Sequence, residues 1–383
     1  MSVTAAQGFR AAGVAAGLKT SGNPDVAVVV NDGPSRTAAA VFTSNRCKAN
    51  PVLWSQEAIK TGTAAAVAIN SGGANCYTGA EGFQTTHLTA ETVAASLGVG
   101  AVDVQVCSTG LIGLLNNRET LLGGVTSALD SLHAEGGPEA ATAIMTTDTV
   151  SKQSVHQGDG FVVGGMAKGA GMLAPALATM LVVITTDAEV APATADAALR
   201  EATRTTFDRL DSDGCQSTND TVLLMASGAS GVTPDAASLT EAVRAVCADL
   251  AQQLLRDAEG ADHDIAITVV HAASEDDALE VARSVARSNL FKTAIFGKDP
   301  NWGRILASVG TTQAAFDSAD LDVALNDVWV CRASTPAESP TLVDLGPRDV
   351  TVTIDLKAGD ASATIWTNDL THAYVHENSA YSS

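Results

Sequence analysis

The chain has 383 residues, of which 46% are hydrophobic and 17% are charged, and its formal net charge is -21. This composition is typical of a soluble globular protein, long enough for one large hydrophobic core or two modest domains. The negative charge argues against a nucleic-acid-binding or membrane-binding function, because nucleic acids and anionic membranes are polyanions that such a surface repels.

The beginning of the chain carries no targeting signal. Residues 1–10 lack a charged segment followed by an apolar one, and no run approaches the roughly 20 apolar residues that cross a bilayer. We therefore predict a cytoplasmic protein. The six cysteines form no C-x-x-C pair and the histidines form no H-E-x-x-H motif, so we expect neither a metal site nor a disulfide framework.

The first half of the chain predicts short strands and one long helix. Runs rich in β-branched residues and bounded by Asn, Asp, Gly or Ser predict strands over residues 26–30, 38–43, 65–69 and 102–107. Residues 80–97 predict a helix that ends at Gly98. The turn at residues 108–110 can present a hydroxyl and a backbone N–H at one point, as an oxyanion hole requires, although an ordinary strand exit has the same pattern.

A glycine-rich segment, residues 164–175, leads into an apolar strand predicted over residues 180–184. We predict a loop here, because glycine lets one backbone approach another closely. The segment contains Lys168 but lacks the G-x-x-x-x-G-K-[ST] order of a phosphate-binding loop, so it gives little support to nucleotide binding. Thr179 stands at the mouth of the strand. It fits an ordinary β-branched strand residue, or a nucleophile whose own α-amine serves as the base after the Ala178–Thr179 bond breaks.

The second half of the chain predicts further strands and two amphipathic helices. The strands are expected over residues 222–225, 265–270, 328–331, 350–356 and 363–366. Apolar residues recur every three or four positions over residues 236–258 and 278–290, which predicts helices that lie over a sheet. The polar residues 334–341 predict a surface loop. Irregular alternation of strands and helices, without a regular βαβ period, favours a layered α/β fold with mixed sheets over a doubly wound parallel fold.

Seven short segments carry a pattern in common with a known family. They are AAVFTSN (39–45), ANCYTG (74–79), STGLIG (108–113), MTTDT (145–149), ATML (178–181), DSDGCQSTND (211–220) and GKDPNWGR (297–304). In content and order they resemble the glutamate N-acetyltransferase family of arginine biosynthesis, also called ornithine acetyltransferases. The resemblance covers nearly the whole chain.

This resemblance implies both a fold and a processing event. The fold would be a layered αββα sandwich with mixed sheets, similar to that of self-processing N-terminal-nucleophile enzymes. The precursor would cut itself between Ala178 and Thr179, giving an α chain of residues 1–178 and a β chain of residues 179–383. The two chains would form one interleaved catalytic unit, and two α chains and two β chains would associate.

The resemblance also implies an activity. The enzyme would move the acetyl group of N2-acetyl-ornithine to glutamate through an acetyl-Thr179 intermediate, without a cofactor. Acetyl-CoA as a second acetyl donor stays open, because the family includes members with and without that activity and no residue here separates them.

The resemblance assigns site residues by position. Thr109 and Gly110 would form the oxyanion hole, and Arg304 lies in a segment expected to support the site. Glu259 would bind a substrate amine. A glutamate directly after a helix is unfavourable beside the helix dipole, which is consistent with another use. The substrate-binding residues implied by the resemblance are Thr146, Lys168, Thr179, Glu259, Asn378 and Ser383.

Two alternatives accompany this hypothesis. One is a self-processing aminopeptidase or amidohydrolase with an N-terminal nucleophile, in which water and not glutamate accepts the acyl group. The other is an inactive protein that binds small molecules on the same fold, which an intact chain of 383 residues after purification would favour.

Overall fold

The computed structural model describes residues 2–173 and 180–380, which form fifteen strands and ten α-helices. The strands are β1 (Phe9–Val14), β2 (Val26–Asn31), β3 (Thr37–Phe42), β4 (Ala66–Asn70), β5 (Val104–Ser108), β6 (Lys152–Gln157), β7 (Val162–Lys168), β8 (Leu181–Thr186), β9 (Thr221–Ala226), β10 (Asp264–Ala272), β11 (Asp322–Leu325), β12 (Val328–Arg332), β13 (Thr335–Pro336), β14 (Asp349–Asp355) and β15 (Ala361–Asn368). The helices are α1 (Asn50–Ala58), α2 (Gly79–Leu97), α3 (Arg118–Asp130), α4 (Gly137–Ala143), α5 (Pro192–Arg204), α6 (Ala236–Arg256), α7 (Glu275–Ala286), α8 (Asn289–Phe296), α9 (Trp302–Val309) and α10 (His372–Ala380).

The strands form three sheets. The first sheet has the order β1-β2-β4-β5, the second β3-β9-β8-β7-β6, and the third β13-β12-β11-β14-β10-β15. Each sheet is mixed, because β4 and β5, β8 and β9, and β10 and β14 are parallel pairs among antiparallel neighbours. The first and second sheets share an apolar core that includes Val29 and Ile69 of one and Met166 and Leu223 of the other.

Helices cover the outer faces of these two sheets. Buried apolar residues of α2 and α3 pack on the first sheet. Those of α5 and α6 pack on the second, with Leu239, Val243 and Leu250 of α6 in one stripe. The prediction of an αββα sandwich with mixed sheets is therefore confirmed.

The third sheet forms a further α/β layer, which the sequence analysis did not separate from the sandwich. Helices α7, α8 and α9 pack their apolar residues against it. The helix predicted over residues 278–290 is two helices in the structure. The first ends at Ala286, and Ser288 begins the second by accepting a hydrogen bond from the Phe291 N–H through its side chain.

The prediction of a loop over the first part of the glycine-rich segment is wrong, because residues 162–168 form strand β7. A Cβ on Gly164 would lie 2.3 Å from the Ser2 carbonyl oxygen, and a Cβ on Gly165 would lie 2.8 Å from Val246 Cγ1. Glycine is needed here so that other elements can pack closely on both faces of the strand. The loop predicted over residues 334–341 likewise contains the short strand β13 and a 3₁₀ turn, Pro340–Leu342.

The six cysteines are all free, four of them buried and two, Cys47 and Cys215, exposed. The fold is therefore stabilised by packing and hydrogen bonds and not by disulfides. Among the residues described, no helix combines the length and the apolar character needed to span a bilayer.

Candidate active site

A turn after β5 holds the two residues predicted to stabilise an oxyanion. Thr109 is 3% exposed and donates its backbone N–H to the Asn70 carbonyl at 2.9 Å. Gly110 has a φ of 124°, and a Cβ there would lie 2.9 Å from the backbone nitrogen of Gly73. Only glycine adopts this conformation in so little space without displacing its neighbour. The turn therefore has a fixed shape and carries a hydroxyl beside a backbone N–H.

Lys168, the last residue of β7, reaches this turn from the second sheet. It is 2% exposed, and its Nζ donates a hydrogen bond to Thr109 Oγ1 at 3.2 Å. Burial lowers the pKa of Lys168; the Asp148 carboxylate opposes that change, and the Lys152 ammonium adds to it. Lys168 pairs in register with Leu181, so β8 begins beside it. The predicted lysine and the predicted oxyanion turn thus meet at the end of the sheet where β8 starts.

Asp148 connects this lysine to Thr146. Its Oδ1 accepts hydrogen bonds from Lys152 Nζ at 2.7 Å and from the Gly169 N–H at 2.6 Å, and its Oδ2 accepts one from the Thr146 N–H at 2.9 Å. Burial by itself raises the pKa of Asp148, but the charges of Lys168 and Lys152 and the Gly169 N–H lower it to about 2. This ionised carboxylate fixes the backbone on both sides of the site.

The sequence analysis did not identify this charged cluster. Lys152 is 0% exposed and also contacts Asp257 Oδ2 at 2.5 Å, and Asp257 accepts a hydrogen bond from the Thr149 N–H at 3.0 Å. The Asp148–Lys152 pair could have been suspected from the sequence, since these two oppositely charged residues are only four positions apart. Asp257 could not, since it lies 105 residues from Lys152 along the chain.

Glu259 lies over the backbone that follows β7. Its N–H donates to the Ala170 carbonyl at 3.0 Å, and a Cβ on Gly171 would lie 2.7 Å from its Oε2. Asn378 of α10 donates from Nδ2 to the same Oε2 at 3.1 Å. Glu259 and Thr146 line one cavity of about 540 Å³. The structure therefore brings together these three predicted substrate-binding residues.

Glu259 also lines a second cavity, of about 180 Å³, that no sequence pattern indicated. Its wall includes Asp213, Lys292 and Tyr374. Burial raises the pKa of Tyr374 to about 12, so its hydroxyl is a hydrogen-bond donor at neutral pH. The carboxylate of Glu259 thus separates two cavities of different size.

Residues 211–220 contact both flanks of the segment in which cleavage is predicted. The Ser212 N–H donates to the Leu173 carbonyl at 2.5 Å, and Asp220 Oδ1 accepts a hydrogen bond from the Met180 N–H at 3.1 Å. Asp220 is 0% exposed, and burial raises its pKa well above the usual value. One segment therefore holds the chain just before and just after residues 174–179.

Asn219 extends the same segment to the oxyanion turn. Its Nδ2 donates to the Ser108 carbonyl at 2.7 Å and to the Ala74 carbonyl at 2.6 Å. Its Oδ1 accepts a hydrogen bond from Thr218 Oγ1 at 2.5 Å. The start of β8 and the end of β5 are thus positioned by neighbouring residues of one loop.

Three predicted site residues, Ala178, Thr179 and Ser383, lie outside the residues that the structure describes. Arg304, expected to order carboxylates near the site, instead donates from Nη1 to the Leu290 carbonyl at 2.6 Å. It belongs to α9, which packs against the third sheet, so its contact supports that layer and not the site. Over residues 2–173 and 180–380, no group of three or more His, Cys, Asp or Glu side chains is arranged to hold a metal ion.

Comparison with known proteins identifies a matching family and relatives that bear the same family name. A model of the ArgJ family matches residues 10–383. The arginine biosynthesis bifunctional protein ArgJ of Streptomyces coelicolor is 63% identical, with 100% of both chains covered. Its counterpart from Thermobifida fusca is 61% identical over the same shares. A crystal structure of ornithine acetyltransferase from Mycobacterium tuberculosis, complexed with ornithine, is 51% identical over 47% of this chain and 96% of that chain, with a TM-score of 0.43.

Proposed function

The chain belongs to the ArgJ family, and from this membership and the geometry of the site we propose that it is an ornithine acetyltransferase of arginine biosynthesis. It transfers the acetyl group of N2-acetyl-ornithine to glutamate. The buried contact between Lys168 Nζ and Thr109 Oγ1, at the point where β8 begins, is the main structural support for this proposal. Acetyl transfer needs a nucleophile, oxyanion donors and substrate-binding groups in one place, and this contact joins two of the three.

The nucleophile in this proposal is the hydroxyl of Thr179, freed when the bond to Ala178 breaks. Thr179 precedes Leu181 by two residues, and Leu181 lies opposite Lys168. The α-amine of Thr179 takes the hydroxyl proton as the hydroxyl attacks the acetyl carbonyl, which yields an acetyl ester and releases ornithine. Glutamate then attacks that ester through its own amine and leaves as N-acetyl-glutamate.

Thr109 and Gly110 supply the oxyanion donors. Because Lys168 donates to Thr109 Oγ1, the threonine hydroxyl keeps its own hydrogen free to donate. The Gly110 N–H is the second donor, and its backbone conformation is fixed by the close approach of Gly73. The buried charge of Lys168 strengthens this arrangement as negative charge develops on the substrate oxygen.

Glu259 binds the side-chain ammonium of N2-acetyl-ornithine, with Asn378 holding the carboxylate in place. Thr146 lines the larger cavity together with Glu259 and contributes a hydroxyl. Asp148 fixes the backbone of both Thr146 and Gly169, so it holds Thr146 in place relative to the end of β7. Ser383 completes the set of substrate-binding residues in this proposal.

Self-cleavage before Thr179 produces an α chain of residues 1–178 and a β chain of residues 179–383, and two of each associate. The reaction uses functional groups of the chain alone and requires no cofactor, and acetyl-CoA is a second acetyl donor. The protein acts in the cytoplasm. Membership of the ArgJ family supports each part of this description.

The kinetic order of the reaction tests the proposal. Enzyme mixed with N2-acetyl-ornithine alone should release a burst of about one ornithine per active site, and addition of glutamate should restart the release. Parallel lines in double-reciprocal plots are expected. Steady release of acetate that glutamate does not change would instead identify a hydrolase, and a ternary-complex pattern would contradict the acetyl-enzyme.

A further inference from the structure

The smaller cavity beside Glu259 is lined by a buried lysine that forms no ion pair with a carboxylate of the described residues. Lys292 of α8 lines this cavity and is 7% exposed. Its Nζ donates a hydrogen bond to the Ser212 carbonyl, and no carboxylate of the described residues lies within 4.0 Å of it. A buried ammonium normally has an ionic partner, because removing a charge from water is costly.

The carboxylates around the cavity are largely occupied elsewhere. Asp369 accepts hydrogen bonds from His263 Nδ1 at 2.7 Å and from two backbone N–H groups. Asp213 accepts a hydrogen bond from the Cys215 N–H at 3.4 Å and takes others from the backbone of Met172 and Leu173. Burial raises the pKa of Asp213. Asp213, Asp211 and Asp369 attract the Lys292 ammonium without forming an ion pair with it, so the ammonium can bind an anionic group that enters the cavity.

Two further donors face the same space. Tyr374 contributes a phenolic hydroxyl. Arg287 contributes its guanidinium, whose Nε is bound to Asp211 Oδ2 at 2.8 Å, at the more exposed side of the wall. Together with Lys292 they can hold the two oxygens of one carboxylate.

The proposed reaction uses two substrates whose side chains carry opposite charges. The donor, N2-acetyl-ornithine, has a side chain that ends in an ammonium, whereas the acceptor, glutamate, has one that ends in a carboxylate. Glu259 suits the first group and repels the second. A single site that serves both half-reactions therefore needs a cation for the acceptor side chain. Lys168 is near Glu259 but donates to Thr109 Oγ1, whereas Lys292 lines the cavity of about 180 Å³ together with Glu259.

We propose that Lys292 is the specificity-determining residue for the acceptor, and that its ammonium binds the side-chain carboxylate of glutamate in the smaller cavity, next to Glu259, which lines both cavities and binds the side-chain ammonium of the donor. This inference rests on the proposed acetyl transfer. The cavity wall thus carries one carboxylate and one ammonium, and the side chain of each substrate binds the group of opposite charge.

Separate measurement of the two half-reactions distinguishes acceptor binding by Lys292 from a role of Lys292 in both steps. In Lys292→Met, the burst of ornithine from N2-acetyl-ornithine should stay within about twofold of wild type, because the donor does not use the ammonium. The glutamate concentration that half-saturates removal of the acetyl group should rise about tenfold or more, since a buried charge partner is lost. Lys292→Arg should recover part of the glutamate affinity. Lys298→Met, an exposed lysine on the same segment, is the matched control and should change neither step.

Glu259→Gln should show the opposite pattern, with a weakened donor step and a glutamate step that is unchanged or improved. Wild-type enzyme gives an independent arm that needs no variant: glutamate should be preferred over glutamine as acceptor by about tenfold or more, because glutamine lacks the charge that Lys292 binds. Equal use of glutamate and glutamine would overturn the inference. Equal weakening of both half-reactions in Lys292→Met would also overturn it, and would assign the lysine to the α-carboxylate that both substrates share. Absence of any ornithine burst in wild type would instead defeat the acetyl transfer itself.

Discussion

Thr109 combines two hydrogen-bonding roles in one hydroxyl, since it accepts from Lys168 and keeps its own hydrogen to donate. If that hydrogen stabilises the oxyanion, Thr109→Ala should lower kcat by about 100- to 1000-fold with a smaller change in KM. Thr109→Ser keeps the hydroxyl and should retain most of the activity. Steady-state kinetics on N2-acetyl-ornithine and glutamate measure both variants. An alanine variant with nearly normal kcat would remove Thr109 from the oxyanion hole.

Asp148 makes stability depend on pH in a defined range. Its pKa in the folded protein is lowered from 3.8 to about 2, so its ionised form stabilises the fold at pH values above about 4. This contribution is lost as the pH falls from about 4 to about 2, and it amounts to about 2 kcal/mol. Asp148→Asn lacks it at every pH.

The difference in the free energy of unfolding between wild type and Asp148→Asn should therefore be constant near neutral pH and shrink below about pH 4. Urea unfolding across this range measures it. Both proteins should carry Thr179→Ala, which keeps the chain in one piece under the proposed cleavage mechanism. A difference that does not vary with pH would show that Asp148 acts through hydrogen bonds alone.

At the level of single elements, β7 depends on glycine for its packing. Gly164→Ala would place a Cβ 2.3 Å from the Ser2 carbonyl oxygen, so it should destabilise the protein by about 1–3 kcal/mol or more. Gly123→Ala is the matched control, because Gly123 lies in α3 with no atom within 4 Å of the added carbon. Its stability should rise by up to about 1 kcal/mol. Equal melting temperatures for the two variants would contradict the packing argument.

The same strand marks the limit of prediction from local sequence. Helix α6 was predictable because Leu239, Val243 and Leu250 repeat on one face, and this stripe packs on the second sheet as expected. The glycines of β7 carry no such periodicity, and only the tertiary contacts of Gly164 and Gly165 distinguish a tightly packed strand from a flexible loop.

The site likewise contains residues that could be predicted from the sequence and residues that could not. Thr109, Lys168 and Glu259 were assigned through the family resemblance, and the structure places the first two in contact. Other residues around the site, such as Asp257 and Lys292, come from distant parts of the chain. Their roles depend on long-range pairing, which local sequence does not encode.

Over the whole molecule, the predicted αββα sandwich is confirmed, whereas the third sheet was not anticipated. The strand β10 has the same β-rich character as β9, so a local pattern does not reveal that they belong to different sheets. Assignment of a strand to a sheet requires its pairing partners. For β10 these are β14 and β15, about 80 to 100 residues later in the chain.

The topology also predicts how the cleaved protein behaves. In the second sheet β8 and β9, which the proposed cleavage would place in the β chain, lie between β3 and β7, which it would place in the α chain. Separating the chains would break two strand pairs and expose the core between the sheets. The two fragments should therefore co-elute in size-exclusion chromatography and separate only in denaturant. Fragments that part without denaturant would contradict this interleaved arrangement.

Intact-mass analysis of the purified protein is the most direct test of self-cleavage and acetyl transfer through Thr179. We expect two fragments, residues 1–178 and residues 179–383, and after addition of N2-acetyl-ornithine alone the second fragment should become heavier by one acetyl group. Glutamate should then remove that mass, and Thr179→Ala should give one uncleaved and unmodified chain. A wild-type chain that stays intact at 383 residues would rule out self-cleavage, and a cleaved one whose second fragment never gains the acetyl group would rule out the acetyl-Thr179 intermediate.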